Sequence, residues 1–398
     1  MISSNEAWAA ISSRRFIPTV ETVRLENAMG RILGNDIFAD MDQPPFHRVA
    51  MDGVAIHSSL LKETTSFKIL DCISAGSVAP DLPSGPVCFE IMTGAMLPAG
   101  ADMVIRYEDL SIKDGIASLT ISPENLKANF HPRGSDYPKG HKVLSQGTKI
   151  KSTTIALLAS VGQSQVPVLT LPKISIISTG DELVDIDETP SPSQIRWSNG
   201  ICLKQELFSW GQTEVTLIKL KDNEEKLQQV ITKELEKSDL LLLTGGVSAG
   251  KFDFVPGILK KCSVNEVFHK ISQRPGKPLW FGETDSNKLV FGLPGNPVSC
   301  LVNLRKFVIP LIELSISGRA PVVPRASLTA EVSFNKNMTY YCAVKVHQEG
   351  TELMATPIAG NGSGDFFQLQ DSDGFMELRS SEGPFKKGHV SEVYLWGH

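Results

Sequence analysis

Three short, predominantly apolar runs, each followed at once by a glycine-rich loop, set the tightest limit on what this chain can fold into. ISII (174–177), LLLL (240–243) and LVF (289–291) have the length and composition of strands buried on both faces, as found in the parallel sheets of α/β domains. The loops behind them are STGDE (178–182), TGGVSAGKFD (244–253) and GLPGNP (292–297). A further loop, QRPGKP (273–278), follows a weaker strand pattern near Val264 to Ile271. In open parallel sheets ligands bind beyond the carboxyl ends of the strands, where loops free of core packing carry chemistry. The pattern therefore predicts a ligand site on one sheet edge.

Loop composition narrows the ligand. Glycines at 180, 245, 246, 250, 276 and 295 let backbone N–H groups turn outward and form nests for anionic oxygens, with Ser248, Pro275 and Pro294 shaping the same loops. Asn296 and Pro297 read as a cap and first residue of a helix over Val298 to Leu314, whose positive end would face the site. Asp181, Glu182, Asp222 and Asp253 stand beside these anion seats. Two bare carboxylates about 4 Å apart repel by roughly 4 kcal/mol at an effective dielectric of 20, so the set calls for a bridging cation such as Mg2+. Lys270, Arg274 and Lys277 would balance the anion. Taken singly, each loop reads equally well as a turn, Asp253 as a helix cap, and Asp181 with Glu182 as solvated charge. Neither GxxxxGK[ST] nor a GxGxxG opening the domain is present, so the usual nucleotide fingerprints are absent.

The rest of the chain bounds the class. At 398 residues it should hold two to four domains, domains typically spanning about 100 to 200 residues. A net charge of −5 without a basic stripe argues against nucleic-acid binding. No apolar run approaches the ~18 residues of a membrane span, and MISSNEAW lacks the features of a signal peptide, so a cytoplasmic protein is expected. Six cysteines lie scattered without CxxC spacing, which suggests neither zinc nor a disulfide framework. NEAWAAISSR reads as a helix. VRLENAMGRILGNDI reads as another, with Leu25, Ala28, Met29 and Ile32 on one face. Beyond QPPF, segments such as FKILDCI and VCFEIMTG with turns between them read as β-structure, and helical spacing returns at TTIALLASVG. NEEKLQQVITKELEKS predicts an amphipathic helix capped by Asn223. Beyond Gly318 evenly spaced short strands predict a small β-barrel or sandwich. AMDG (50–53), MTGAMLPAGADMVI (92–105) and RGSD (133–136) carry acids and small residues that no element pattern requires.

The order of these motifs resembles the molybdopterin molybdenumtransferases, molybdenum insertases related to the C-terminal domain of gephyrin. It rests on PPF, AMDG, IMTGAMLPAGADMVI, RGSD, ISTGDELV, IRWSNG, TGGVSAGKFDF, PGKP, LPGNPVS and GNGSG, spread over essentially the whole chain. The resemblance implies a multidomain α/β plus β fold. Its parts would be a helical linker domain (1–45 and 135–172), an inserted β domain (46–134), a Rossmann-like α/β pterin-binding domain (173–316) and a C-terminal β-barrel domain (317–398). It also implies a homodimer with shared active sites, the AMDG region of one subunit completing the α/β site of the other. The implied reaction takes adenylylated molybdopterin and molybdate, with Mg2+, to molybdenum cofactor and AMP. Contact with a molybdopterin adenylyltransferase and with acceptor molybdoenzymes would follow.

Carried over motif by motif, Asp52, Thr93, Arg133 and Asp136 would complete the catalytic set. Glu182, Asp222 and Asp253 would handle metal and ligand, the metal resting on Asp52, Glu182 and Asp253. Lys270, Arg274 and Lys277 would meet phosphate or molybdate, and Ser299 and Ser363 would donate to the oxyanion. The sequence departs from the family at Arg48, Val49, Val54, Lys251 and Arg274. It also lacks a common arginine in YYCAVKV, where Lys345 is the available substitute. Two rival readings are a non-catalytic scaffold, opposed by Asp52, Glu182 and Asp253, and a hydrolase of nucleotide conjugates, opposed by AMDG and MTGA.

Overall fold

The computed structural model describes residues 1–398 except Thr213, 247–253, Asn335, Asn361, His398 and the side chain of Phe367. Two compact units emerge. One comprises Met1–Glu21, Gly30–Ile32 and Val168–His398, and the other Thr22–Met29 and Leu33–Pro167.

The first unit is built on a six-stranded sheet. Its elements, in chain order, are α1 (Ser4–Ser12), β1 (Ile174–Thr179), α2 (Asn199–Trp210), β2 (Val215–Leu220), α3 (Glu224–Lys237), β3 (Leu240–Thr244), α4 (Val255–Lys261), β4 (Val264–His269), a short β5 (Gln273–Arg274), β6 (Trp280–Thr284) and β7 (Leu289–Leu293). The strand order is β2-β1-β3-β7-β6-β4. The apolar runs behave as their composition demands: every residue of β1, β3 and β7 is buried, because α1, α2 and the last helices cover one face while α3 and α4 cover the other. β1, β2, β3 and β7 are parallel, whereas β6 is antiparallel to both β7 and β4. Two reversals leave β4 running in the same direction as β7. The loop after β4 therefore opens at the same edge as those after β1, β3 and β7.

α3 forms as its pattern predicts, with Asn223 accepting the Lys226 N–H at 2.8 Å and Leu227 and Ile231 fully buried. The final helical run is longer than the expected helix. α5 (Pro297–Asn303) passes through a wider π turn at Leu304–Val308 into α6 (Ile309–Ser317). The C-terminal strands β8 (Arg325–Leu328), β9 (Thr339–Glu349), β10 (Glu352–Pro357), β11 (Gly374–Leu378) and β12 (Val390–Leu395), with α7 (Phe366–Asp371) between β10 and β11, close into a barrel. The cycle β9-β10-β8-β12-β11 returns to β9, and β5 adds to β9 with Arg274 opposite Tyr340. α5 seats the barrel through Val298 and Val302 against Tyr341, Phe375 and Tyr394.

The second unit holds a separate six-stranded sheet. Its order is Met103–Arg106, Gly53–Ile56, Val87–Ile91, Ser66–Ile73, Ile116–Leu119, Leu110–Lys113. The glycine of AMDG is dictated by packing, since a Cβ at Gly53 would overlap the Ile105 carbonyl of the neighbouring strand. The helix expected over VRLENAMGRILGNDI does not form. Val20–Arg24 is a strand, Leu25–Asn27 is a single 3-10 turn, and Gly30 sits at φ +79°. β-branched residues at the start favour strand geometry and the left-handed glycine ends the turn, so apolar residues at helical spacing had no helix to define. Ser152–Ser160 is helical as expected. Among the described residues no helix is long and apolar enough to cross a membrane.

Candidate functional site

At the carboxyl edge of the α/β sheet the loops interlock through their backbones. Gly245 lies at φ +92°, and a Cβ there would overlap the Thr179 carbonyl. A Cβ on Gly295 would lie 3.8 Å from the Gly245 Cα, so the loops after β3 and β7 run side by side. Asn199, at the start of α2, donates to the Gly295 carbonyl at 2.6 Å. These contacts frame a narrow cleft of about 70 Å³ lined by Thr179, Glu182, Trp197, Thr244, Gly245, Gly295 and Phe366 among others. Thr179 also donates to Asp222 at 2.5 Å, and the Asp222 N–H donates to Asp181 at 3.2 Å. Thus Glu182, Gly245, Gly295 and Pro297 line the cleft and Gly180, Asp181 and Asp222 lie next to its Thr179, while Gly246 packs on Val255, its Cβ position 2.8 Å from that side chain. Ser248, Gly250, Lys251 and Asp253 lie outside the described residues.

A second cavity, of about 380 Å³, lies between the QRPGKP loop, α5 and the barrel. Arg274, Pro275 and Ser363 line it together with Tyr340, Gln368 and the glycines of GNGSG. The loop is held by buried amides: Gln273 Nε2 donates to Asn303 Oδ1 at 2.7 Å, and a Cβ on Gly276 would sit 2.7 Å from both side-chain nitrogens. Asn296 begins α5 but its side chain makes no cap bond. Its amide donates instead to Ser363 Oγ at 2.8 Å and ties the GLPGNP and GNGSG loops together. Pro294 accepts from the buried Cys300 thiol. Lys270, Lys277 and the buried Ser299 are not among the residues lining this cavity, and neither is Lys345, which is exposed on β9. Lys345 therefore does not replace the missing arginine here.

The remaining predicted residues lie in the other unit. Asp52 Oδ1 accepts both the N–H and the hydroxyl of Thr93, at 2.6 and 2.7 Å, and these hydrogen bonds, the backbone one first, hold its carboxyl below the usual range. That answers why AMDG and MTGA occur together: the aspartate pins the threonine loop. Arg133 pairs with Asp42 at 2.7 Å. Asp42, which also accepts the Lys139 N–H at 2.8 Å, is held below the usual range first by that bond and then by Arg133. The Asp136 N–H donates to the Gln43 carbonyl at 2.8 Å and its side chain is exposed. Among the described residues no group of three His, Cys, Asp or Glu side chains converges as a metal site. Sequence reasoning passed over Trp197, Asn199, Phe366, Tyr340 and Gln368. The IRWSNG segment was the available signal for the first two.

Comparison with known proteins identifies the family. Residues 2–162 match the MoeA N-terminal region (domain I and II), residues 175–314 the probable molybdopterin binding domain, and residues 325–396 the MoeA C-terminal region (domain IV). A molybdopterin molybdenumtransferase of Synechocystis sp. is 36% identical over 379 residues, covering 94% of this chain and 95% of the relative. The chain belongs to the molybdopterin molybdenumtransferase family. It is a transferase of molybdenum cofactor biosynthesis. The namesake of Bacillus subtilis is 32% identical, covering 94% of this chain and 89% of its own. The crystal structure of a molybdopterin biosynthesis MoeA protein from Pyrococcus horikoshii superposes with a TM-score of 0.83 at 29% identity, over 99% of both chains.

Proposed function

We propose that the chain transfers molybdenum from molybdate to adenylylated molybdopterin, releasing AMP and forming molybdenum cofactor. The observation that carries this reading is the pairing of two sites in one unit. The glycine loops that frame the narrow cleft across the carboxyl ends of β1, β3 and β7 suit the phosphate of a ligand whose ring enters as the cleft opens, and the neighbouring cavity with Arg274 and Ser363 suits a small oxyanion. In this reading the four-domain partition given by the motifs applies. Gly180, Gly245, Gly295 and Asn296 orient the ligand, Arg274 with its planar fork and Ser363 hold molybdate, and Lys270 and Lys277, which do not line that cavity, add positive charge at longer range.

Mg2+ belongs to the proposal. Magnesium takes one or two carboxylates and keeps its other positions for water and substrate phosphate, so the hard oxygen donors of Glu182 and Asp222, with Asp52 and Asp253, fit it without a preformed protein cage. When bound it would neutralise charge developing on the adenylate phosphate. Asp52, Thr93, Arg133 and Asp136 lie in the second unit, and in the proposed homodimer they would serve the partner's α/β loops. The protein would act in the cytoplasm, receiving its substrate from an adenylyltransferase and passing product to molybdoenzymes. Sedimentation tests the shared-site element: a fully active monomer of 43.3 kDa would refute it.

A further inference from the structure

The IRWSNG segment holds a polar group that nothing among the described residues satisfies. Trp197 Nε1 is buried and has no hydrogen-bond partner, although its indole lines the cleft at the carboxyl ends of β1 and β3. The backbone is firmly placed: Leu183 and Val184 pair with Ile195 and Arg196, and the Trp197 N–H donates to the Val184 carbonyl at 2.9 Å. The ring rests on α2 where that helix has no side chain. A Cβ on Gly200 would lie 2.8 Å from Nε1 and 2.9 Å from Ser178 Oγ. Indole N–H groups almost always find an acceptor when buried, and leaving one unmade is costly. The cleft beside it, about 70 Å³, has room for a few waters and not for a bicyclic ring. A planar heterocycle enters only if the indole shifts.

We propose that Trp197 is a ligand-contacting, specificity-determining residue of this site. In the free protein its indole occupies part of the seat of the ligand's planar heterocycle. When the ligand enters, the ring leaves Gly200 and meets the heterocycle edge on, donating Nε1–H to an acceptor on its rim. The proposal rests on the reading of the cleft as the pterin and adenylate site. Pterin and adenine share the required chemistry, a flat ring edged with acceptors.

The test uses the full-length protein with AMP and molybdopterin as separate probes, read by intrinsic fluorescence and equilibrium binding. Wild type should change its tryptophan emission with at least one probe, and the responding probe identifies which ring meets Trp197. Trp197→Phe keeps an aromatic ring but loses the donor. It should lose the emission change, keep the melting temperature and bind that probe about tenfold more weakly, the loss of one net hydrogen bond. Trp197→Ala should be weaker still. Gly200→Ala suits helix propensity but pushes the indole off its rest, so the free variant's emission should move toward that of liganded wild type. Wild-type affinity for both probes in Trp197→Phe, or an emission change that persists without Trp197, would overturn the proposal. Wild-type protein that responds to the probes but releases no AMP from adenylylated molybdopterin would instead sink the functional reading alone.

Discussion

A buried ion cluster, Lys306 and Arg379 around Glu377, lies between the α/β layer and the barrel, and removing Lys306 should loosen the proposed oxyanion cavity nearby. Lys306, in the π turn after α5, reaches Glu377 Oε2 on β11 at 2.6 Å, and Arg379 reaches the other oxygen at 3.1 Å. The Glu377 side chain is fully buried and that of Lys306 is 10% exposed. At an effective dielectric of 20 the closer pair attracts by roughly 6 kcal/mol, against a desolvation cost of several kcal/mol per ion. The net worth of the pair is small, but deleting one partner strands the other. Breaking such a pair costs about 3–5 kcal/mol. Lys306→Met should fall near about 3 kcal/mol, because Arg379 remains. Lys306→Met with Glu377→Gln should recover most of the loss.

Acid sharpens this prediction. Burial pushes the Glu377 carboxyl up, but Lys306 and Arg379 outweigh it and hold the group below the usual range. A depressed folded-state value contributes stability that is present above the unfolded value of about 4.3 and lost as pH falls through the folded one. In Lys306→Met the stranded carboxylate is relieved by protonation. The gap between variant and wild type should therefore narrow as pH falls toward about 4. Urea unfolding followed by fluorescence at pH 7 and near pH 4 measures it, with the C-terminal transition fitted on its own because multidomain chains are not two-state. A loss below about 0.5 kcal/mol at pH 7, or a gap that widens in acid, would refute the reasoning.

Three further perturbations address the site itself. Gly245→Ala puts a side chain at φ +92° against the Thr179 carbonyl. Backbone strain of about 1–3 kcal/mol should displace the loop and weaken AMP binding roughly tenfold or more by calorimetry, and wild-type binding would show that the loop is not a ligand seat. Asp52→Asn keeps an acceptor for Thr93 but removes the charge, so the fold and the proposed homodimer should persist while AMP release slows; wild-type turnover would make Asp52 merely structural. Arg274→Ala loses a charge-assisted contact worth about 1.5–3 kcal/mol and should raise the molybdate concentration for half-maximal activity more than tenfold, with Arg274→Lys milder. Unchanged molybdate dependence would remove Arg274 from the oxyanion cavity.

Much of the candidate site was legible because the loops that frame it follow strands whose burial leaves a plain signal. ISII, LLLL and LVF have only one way to be satisfied, as sheet centre, and β4 could be added because its weaker pattern still preceded PGKP. What sequence missed was held by contacts between distant segments. Asp52 looked free of structural duty until Thr93 was seen donating to it twice. Asn296 looked like a helix cap until its amide was found on Ser363. Apolar spacing between Leu25 and Ile32 suggested a helix because periodicity does not register a glycine held at φ +79°. Trp197 was hidden for the opposite reason: it sits in the polar segment IRWSNG, and only the coordinates reveal an indole N–H without a partner among the described residues.

The central claim is tested most directly by AMP release from adenylylated molybdopterin in purified full-length protein with Mg2+, with and without molybdate. Molybdate-dependent AMP release, with molybdenum appearing on the pterin in equal amount, is the predicted result. Release that ignores molybdate and leaves the pterin without metal would mean a hydrolase of the conjugate, and would contradict the account.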